Sequence, residues 1–91
     1  MLKDPMLEWT KRFIVDWVLI NSKSFIKFLN KIPLTFVQKQ VLLLYFVPDT
    51  SGNTKEFKEI EHLLKYSHSN IMIIYRDALK IVLDNLGASI Y

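Results

Sequence analysis

Apolar residues recur at three- and four-residue intervals through most of the chain, which is the spacing of one face of an α-helix. The first such pattern runs from Asp4-Pro5 to about Ile20. Asp4 is suited to cap the helix, and Pro5 is suited to its first turn. The apolar stripe of this helix consists of Met6, Trp9, Phe13, Trp17 and Ile20. Further apolar residues lie on several other sides, which is typical of a helix in the core or in an interface.

Two further helices are predicted before the middle of the chain. Residues 21–24 (Asn-Ser-Lys-Ser) interrupt the first pattern, and a second helix follows over residues 25–32. Pro33 ends it, because the residue before a proline is pushed out of the helical region. Thr35 and Gln38 have the spacing of a capping box, which predicts the start of a third helix through the apolar run that follows.

The second half of the chain predicts two more helices after a loop. Residues 48–53 are rich in Pro, Asp, Ser, Gly and Asn and predict the loop. A fourth helix over about residues 54–65 would bury Phe57, Ile60, Leu63 and Leu64. A short turn at residues 66–68 leads to a fifth helix, which is expected to end near Gly87. The prediction is therefore a single all-α domain, residues 1–91, of five short helices.

Composition narrows the functional classes. The chain has 91 residues, 51% of them hydrophobic, and no cysteine, so disulfides and thiolate sites are excluded. An acid and a proline stand at positions 4 and 5, and residues 13–20 are too short and too polar for a membrane span, so we expect a cytoplasmic protein without membrane contact. No nucleophile–base pair, glycine-rich phosphate loop or metal-ligand spacing is present. We therefore expect neither an enzyme nor a cofactor or bound metal.

Net charge is +3, and the halves of the chain differ. Residues 1–45 hold seven basic and three acidic residues, whereas residues 46–91 hold five basic and six acidic residues. The basic side chains of the first half either follow DNA phosphates or only confer solubility, and their spread around the helices favours solubility. The six considered, all of the seven except Lys3, are Lys11, Arg12, Lys23, Lys27, Lys31 and Lys39.

Residues 34–82 also carry an ordered succession of residue types. It consists of Leu34-Thr35 with Gln38, an apolar helix, a loop, Glu59-Ile60-Glu61-His62-Leu63-Leu64, Ser67, Ile71, and Asp77-Ala78-Leu79 with Val82. Over residues 34–86 this succession resembles the fourth conserved region of bacterial sigma factors. It is also similar to the small ArpU- and RinA-type regulators, which drive late genes in phages of Gram-positive bacteria. The resemblance implies a DNA-binding transcription regulator with a helix-turn-helix in residues 34–91, which residues 1–33 would brace or dimerise.

In a helix-turn-helix, the second helix enters the major groove of DNA, while the turn and the first helix contact the DNA backbone and hold the second helix in place. The fifth predicted helix would be this reading helix. Projected at 100° per residue, its outward face carries Arg76 and Lys80 but also Asp77 and Asp84, so its charges cancel. Arg76 is the best candidate for a base contact. The residues predicted to contact double-stranded DNA are Ser67, His68, Ser69, Asn70, Met72, Ile73, Arg76 and Lys80.

The neutral outward face also fits a protein-interaction module that uses the same fold without reading DNA. Such a module would bind RNA polymerase or another partner through Met72 and Ile73, or through Trp9 and Trp17. A third class is the bacteriocin immunity proteins, which are also small basic helical bundles, although no residue motif points to them.

Three clusters have a structural and a functional interpretation. Trp9, Phe13 and Trp17 would form either core, which we favour, or a contact with a second copy or with polymerase. His62 and His68 are interpreted as surface residues rather than metal ligands. Three glutamates are interpreted as a solvated face rather than a paired-carboxylate site, with Glu56, Glu59 and Lys55 forming weak exposed pairs. The third glutamate is Glu61.

Overall fold

A computed structural model describes the backbone of residues 4–90 and the side chains of residues 4–87. This part of the chain is all-helical and contains no strand. Its four helices are α1 (Pro5–Lys31), α2 (Phe36–Phe46), α3 (Phe57–Leu64) and α4 (His68–Ile90). The all-α prediction is confirmed, whereas the prediction of five helices is not. None of the described helices is both long and apolar enough to cross a membrane.

The helix count differs because α1 covers the first two predicted helices. The break expected at residues 21–24 is reduced to a kink at one residue, Asn21, whose φ of −159° and ψ of 87° are not helical. The Oδ1 atom of Asn21 accepts a hydrogen bond from the backbone N–H of Ser24 at 3.1 Å. Asn21 therefore acts as a cap inside α1, so helical geometry resumes at once and no loop is needed.

Three predicted helix boundaries are confirmed: the start at Asp4, the end before Pro33 and the start at Thr35. Asp4 Oδ1 accepts a bond from the Met6 N–H at 2.9 Å. Ile32, directly before Pro33, is extended. Thr35 Oγ1 accepts a bond from the Gln38 N–H at 3.1 Å, and Gln38 Oε1 accepts one from the Thr35 N–H at 3.0 Å, which completes the capping box.

The last two helices depart from their predicted bounds. α3 begins at Phe57 rather than near Thr54, because the backbone N–H of Lys55 donates to the Leu44 carbonyl at 3.0 Å and holds this segment against the end of α2. α4 does not stop near Gly87 but continues to Ile90. Gly87 lacks the positive φ of a helix-terminating glycine, whereas Gly52 in the predicted loop has a φ of 84°.

The core is organised around α4, which contacts the other three helices. The buried side of α4 lies opposite the predicted outward face, and it consists of Ile71, Tyr75, Ala78, Leu79, Val82 and Leu86. An aromatic cluster joins this side to α2 and α3. In it the Tyr75 ring lies 5.2 Å from Tyr45 and 4.9 Å from Phe57.

α1 turns a different side to the core than its aromatic residues predict. Its first part buries Leu7, Thr10, Ile14 and Val18. Trp9 is 49% exposed and Phe13 is 39% exposed, so the expectation that they form core is wrong, while Trp17 is half-buried. In α3, Leu63 was likewise expected to be buried and is 56% exposed. Both errors have the same cause, since an apolar residue beside the buried side of a helix extends the predicted face without reaching the core.

Candidate nucleic-acid interface

A three-residue connection, residues 65–67, joins α3 to α4. Its first residue, Lys65, is in the left-handed region with a φ of 60° and a ψ of 44°. The backbone N–H groups of Lys65 and Tyr66 both donate to the Glu61 carbonyl. The left-handed conformation of Lys65 ends α3 and lets both N–H groups satisfy the Glu61 carbonyl.

The start of α4 is fixed by Ser67 and His68. Ser67 Oγ accepts a hydrogen bond from the Asn70 N–H at 3.3 Å, and its carbonyl accepts one from the Ile71 N–H at 3.0 Å, so Ser67 caps the helix. The Nδ1 atom of His68 lies 2.7 Å from Oε2 of Glu61. This hydrogen bond links the first residue of α4 to α3.

The residues predicted to contact DNA are exposed, with one exception. Met72 is half-buried and packs against the core. The others are Ser67, His68, Ser69, Asn70, Ile73, Arg76 and Lys80. At 100° per residue, four of them lie within about 60° of one another on the solvent side of α4. We call these four the outer stripe: Ser69, Ile73, Arg76 and Lys80.

Charge is unevenly arranged around the outer stripe. Arg76 and Lys80 are exposed and form no ion pair within the described residues. The two acidic residues of the predicted outward face, Asp77 and Asp84, both project 60–80° to one side of Ser69 by the same helical rotation. Asp77 is half-buried. The positive charges thus lie along the stripe and the negative charges lie along one flank.

Two basic residues next to the connection are not among the predicted DNA contacts. Lys58 and Lys65 are exposed, and with Tyr66 they border the outer side of α3. A shallow cleft of about 470 Å³ is lined there by Lys58, Glu61, His62 and Tyr66. The signal that could have found them is their position, because residues that flank a tight connection share its surface.

The glutamate cluster is arranged differently from its interpretation. Lys55 pairs with Asp49 at 3.0 Å rather than with a glutamate, and Glu59 Oε1 accepts a long bond, 3.4 Å, from the Glu56 N–H. Hydrogen bonds from the Asn53 backbone and from Lys55 lower the pKa of Asp49. The side chain of Glu61 is hydrogen-bonded to His68. These carboxylates therefore hold local structure together.

Both histidines are exposed, as predicted for surface residues. No group of three metal-ligating side chains occurs within the described part of the chain.

Comparison of the chain with models of protein families, with curated proteins and with solved structures finds no significant match.

Proposed function

We propose that this protein is a DNA-binding transcription regulator of the sigma region-four-like type, of phage origin, which reads double-stranded DNA through α4. The observation that carries the proposal is the outer stripe. It presents Arg76 and Lys80 to solvent, without an ion-pair partner among the described residues, on a helix that follows a three-residue connection.

An α-helix of this kind fits the major groove of B-DNA, where base edges carry a distinct hydrogen-bond pattern. Arg76 has the planar fork that binds guanine in two places, and Ile73 suits a thymine methyl group. Ser67, Ser69 and Asn70, at the N-terminus of α4, suit phosphate oxygens because the positive end of the helix dipole points there. α3 then braces α4 through the Glu61–His68 hydrogen bond.

The first test is a fluorescence-anisotropy titration of random-sequence duplex DNA at about 50 mM and about 200 mM salt. Binding that neutralises several phosphates should weaken steeply with salt, with a slope of about −0.9 per phosphate on logarithmic axes. Lys80→Ala should reduce that slope by about one unit. Lys27→Ala, which removes an exposed positive charge from α1, is the matched control and should leave the slope unchanged. The proposal is overturned if the protein does not bind duplex DNA at low salt, or if its affinity does not change with salt.

A second candidate function is a protein-interaction module, and the exposure of Ile73 favours it. Ile73 is 52% exposed in the middle of the outer stripe, with Met72 beside it. Such a module would bind RNA polymerase or another partner without DNA. Affinity capture with purified RNA polymerase tests it directly, because Ile73→Asp should abolish capture while Lys80→Ala should not.

A further inference from the structure

The first part of α1 exposes an apolar stripe that no described helix covers. The stripe consists of Met6, Trp9, Phe13, Trp17 and Ile20, of which only Trp17 is half-buried. The Trp9 and Phe13 rings stack with centroids 5.3 Å apart, and Phe13 meets Trp17 edge-on at 5.8 Å. Ile20, at the end of the row, is 84% exposed. A contiguous exposed patch of this kind marks a contact surface more often than scattered apolar residues do.

The spacing of this apolar stripe is symmetric about Phe13. Trp9 and Trp17 lie four residues to either side of Phe13, and Met6 and Ile20 lie seven residues to either side. The segment also has a natural centre there, because it begins at Pro5 and its regular geometry ends at the Asn21 kink. If two copies of α1 pack antiparallel, Phe13 meets Phe13, Trp9 meets Trp17, and Met6 meets Ile20. A surface that complements itself in this way is what a two-fold interface requires.

The charges beside the stripe are complementary in the same arrangement. Arg12 and Asp16 are exposed on the edge of the stripe away from the core, and neither forms an ion pair within the described residues. A two-fold axis at Phe13 brings this same edge of both helices together. Arg12 of each copy then approaches Asp16 of the other, with an axial offset of only about 3 Å. Two opposite-charge pairs would therefore border the aromatic contact.

We infer that α1 forms a symmetric antiparallel homodimer through this stripe, with Phe13 on the two-fold axis and two Arg12–Asp16 pairs at its edge. The inference does not depend on DNA binding by α4. The buried side of α1 lies about 100° around the helix from the stripe, so the stripe is not the side that packs against the core of its own chain. Because a helix pair of about 24 Å is a small interface, the dimer is concentration-dependent.

Sedimentation equilibrium on the whole chain, from about 1 µM to about 1 mM, tests this directly. The mass should rise from 10.8 kDa towards twice that value. Phe13→Glu should keep the mass at that of one chain, because two carboxylates would meet on the axis. The matched control is Phe36→Glu, since Phe36 is 73% exposed at the start of α2, outside the stripe, and its substitution should leave the mass increase intact. Circular dichroism checks that both variants stay helical.

A charge-swap experiment separates this antiparallel dimer from unspecific apolar association. Arg12→Asp alone and Asp16→Arg alone should each weaken self-association at least several-fold, because like charges then meet. The double substitution in one chain, and an equimolar mixture of the two single variants, should restore it. A protein that stays at 10.8 kDa over the whole range, a mass increase that survives Phe13→Glu, or a mixture no better than its components overturns the inference.

Discussion

His68 Nδ1 and Glu61 Oε2 lie 2.7 Å apart, so a hydrogen bond spans the connection between α3 and α4. Glu61 is mostly buried in this contact, whereas the His68 side chain is two-thirds exposed. In the same turn, the backbone carbonyl of Glu61 accepts hydrogen bonds from the N–H groups of Lys65 and Tyr66. One residue of α3 therefore fixes both the path of the connection and the first residue of α4.

Loss of this hydrogen bond should weaken the fold slightly. We expect His68→Ala to lower the free energy of unfolding by about 0.5–1 kcal/mol, because the pair is partly exposed and water competes for it. Urea denaturation monitored by circular dichroism measures the change. His62→Ala is the matched control, since His62 is an exposed histidine of α3 with no hydrogen-bond partner among the described residues, and it should have no effect. Equal losses in the two variants would contradict a stabilising role for the pair.

Lys65 holds a backbone conformation that favours glycine. With a φ of 60°, its side chain crowds the following carbonyl at a cost of about 1–2 kcal/mol. Glycine removes this cost, but its greater freedom in the unfolded chain offsets part of the gain. Lys65→Gly should therefore raise the free energy of unfolding by about 0.5–1 kcal/mol. Lys58→Gly, inside α3, should lower it by a similar amount. Thermal denaturation of both variants checks the opposite signs, and a shared sign would be inconsistent with the left-handed geometry at Lys65.

The Tyr75 hydroxyl is buried without a hydrogen-bond partner among the described residues. Tyr75→Phe removes this group and keeps the ring against Tyr45 and Phe57, so we expect stability to stay the same or to rise by up to about 1 kcal/mol. Tyr66→Phe, at an exposed site, should change it by less than about 0.5 kcal/mol. Chemical denaturation at neutral pH compares the two, and a loss above about 1 kcal/mol in Tyr75→Phe would show that the hydroxyl does make a bond.

The same residue predicts instability at high pH. Burial, assisted by the charges of Tyr45 and Glu8, raises the pKa of Tyr75. The hydroxyl of Tyr75 ionises near pH 10 in the unfolded chain but stays neutral in the folded chain at that pH. The contribution of this difference to the free energy of unfolding is therefore fully present below pH 10. Above that pH, stability should fall by about 1.4 kcal/mol per pH unit. Denaturation between pH 9 and about pH 11.5 should show this fall in the wild type and a smaller one in Tyr75→Phe.

The capped boundaries of this fold were predictable, because each depends on residues adjacent in sequence. Asp4, the Thr35–Gln38 box and Pro33 act through local hydrogen bonds or local sterics, which the sequence contains. The buried side of α4 was equally predictable, since polar residues alternate with it at helical spacing and leave only one apolar face.

The orientation of α1 was not predictable from its own pattern. Leu7 and Ile14 lie on one side and Trp9 and Phe13 on another, and both sides satisfy the helical spacing. The choice between them depends on packing against α2 and α4, which a single helix does not encode. Similarly, the outer stripe follows from the helical period of α4. The position of Lys65 next to this surface and the Glu61–His68 hydrogen bond depend on how α3 and α4 pack together.

The charge arrangement on α4 predicts an increase in DNA affinity. Asp77 flanks Arg76 and would repel phosphates, so Asp77→Asn should strengthen binding to random-sequence duplex by up to about fivefold at low salt. Glu8→Gln removes the same charge from α1 and should leave the affinity unchanged. Anisotropy titrations of the two variants under identical salt decide this, and no gain for Asp77→Asn would mean that this flank of α4 faces away from the DNA.

The most direct measurement of the proposed function is the affinity of Arg76→Ala for a duplex selected by the wild-type protein from a random library. If α4 reads the major groove, selection should enrich one sequence, and Arg76→Ala should lose about 1–3 kcal/mol of affinity for it and accept changes at one base pair. Lys27→Ala should bind that duplex with unchanged preference. If no sequence is enriched, or if Arg76→Ala discriminates between bases as the wild type does, α4 does not read DNA.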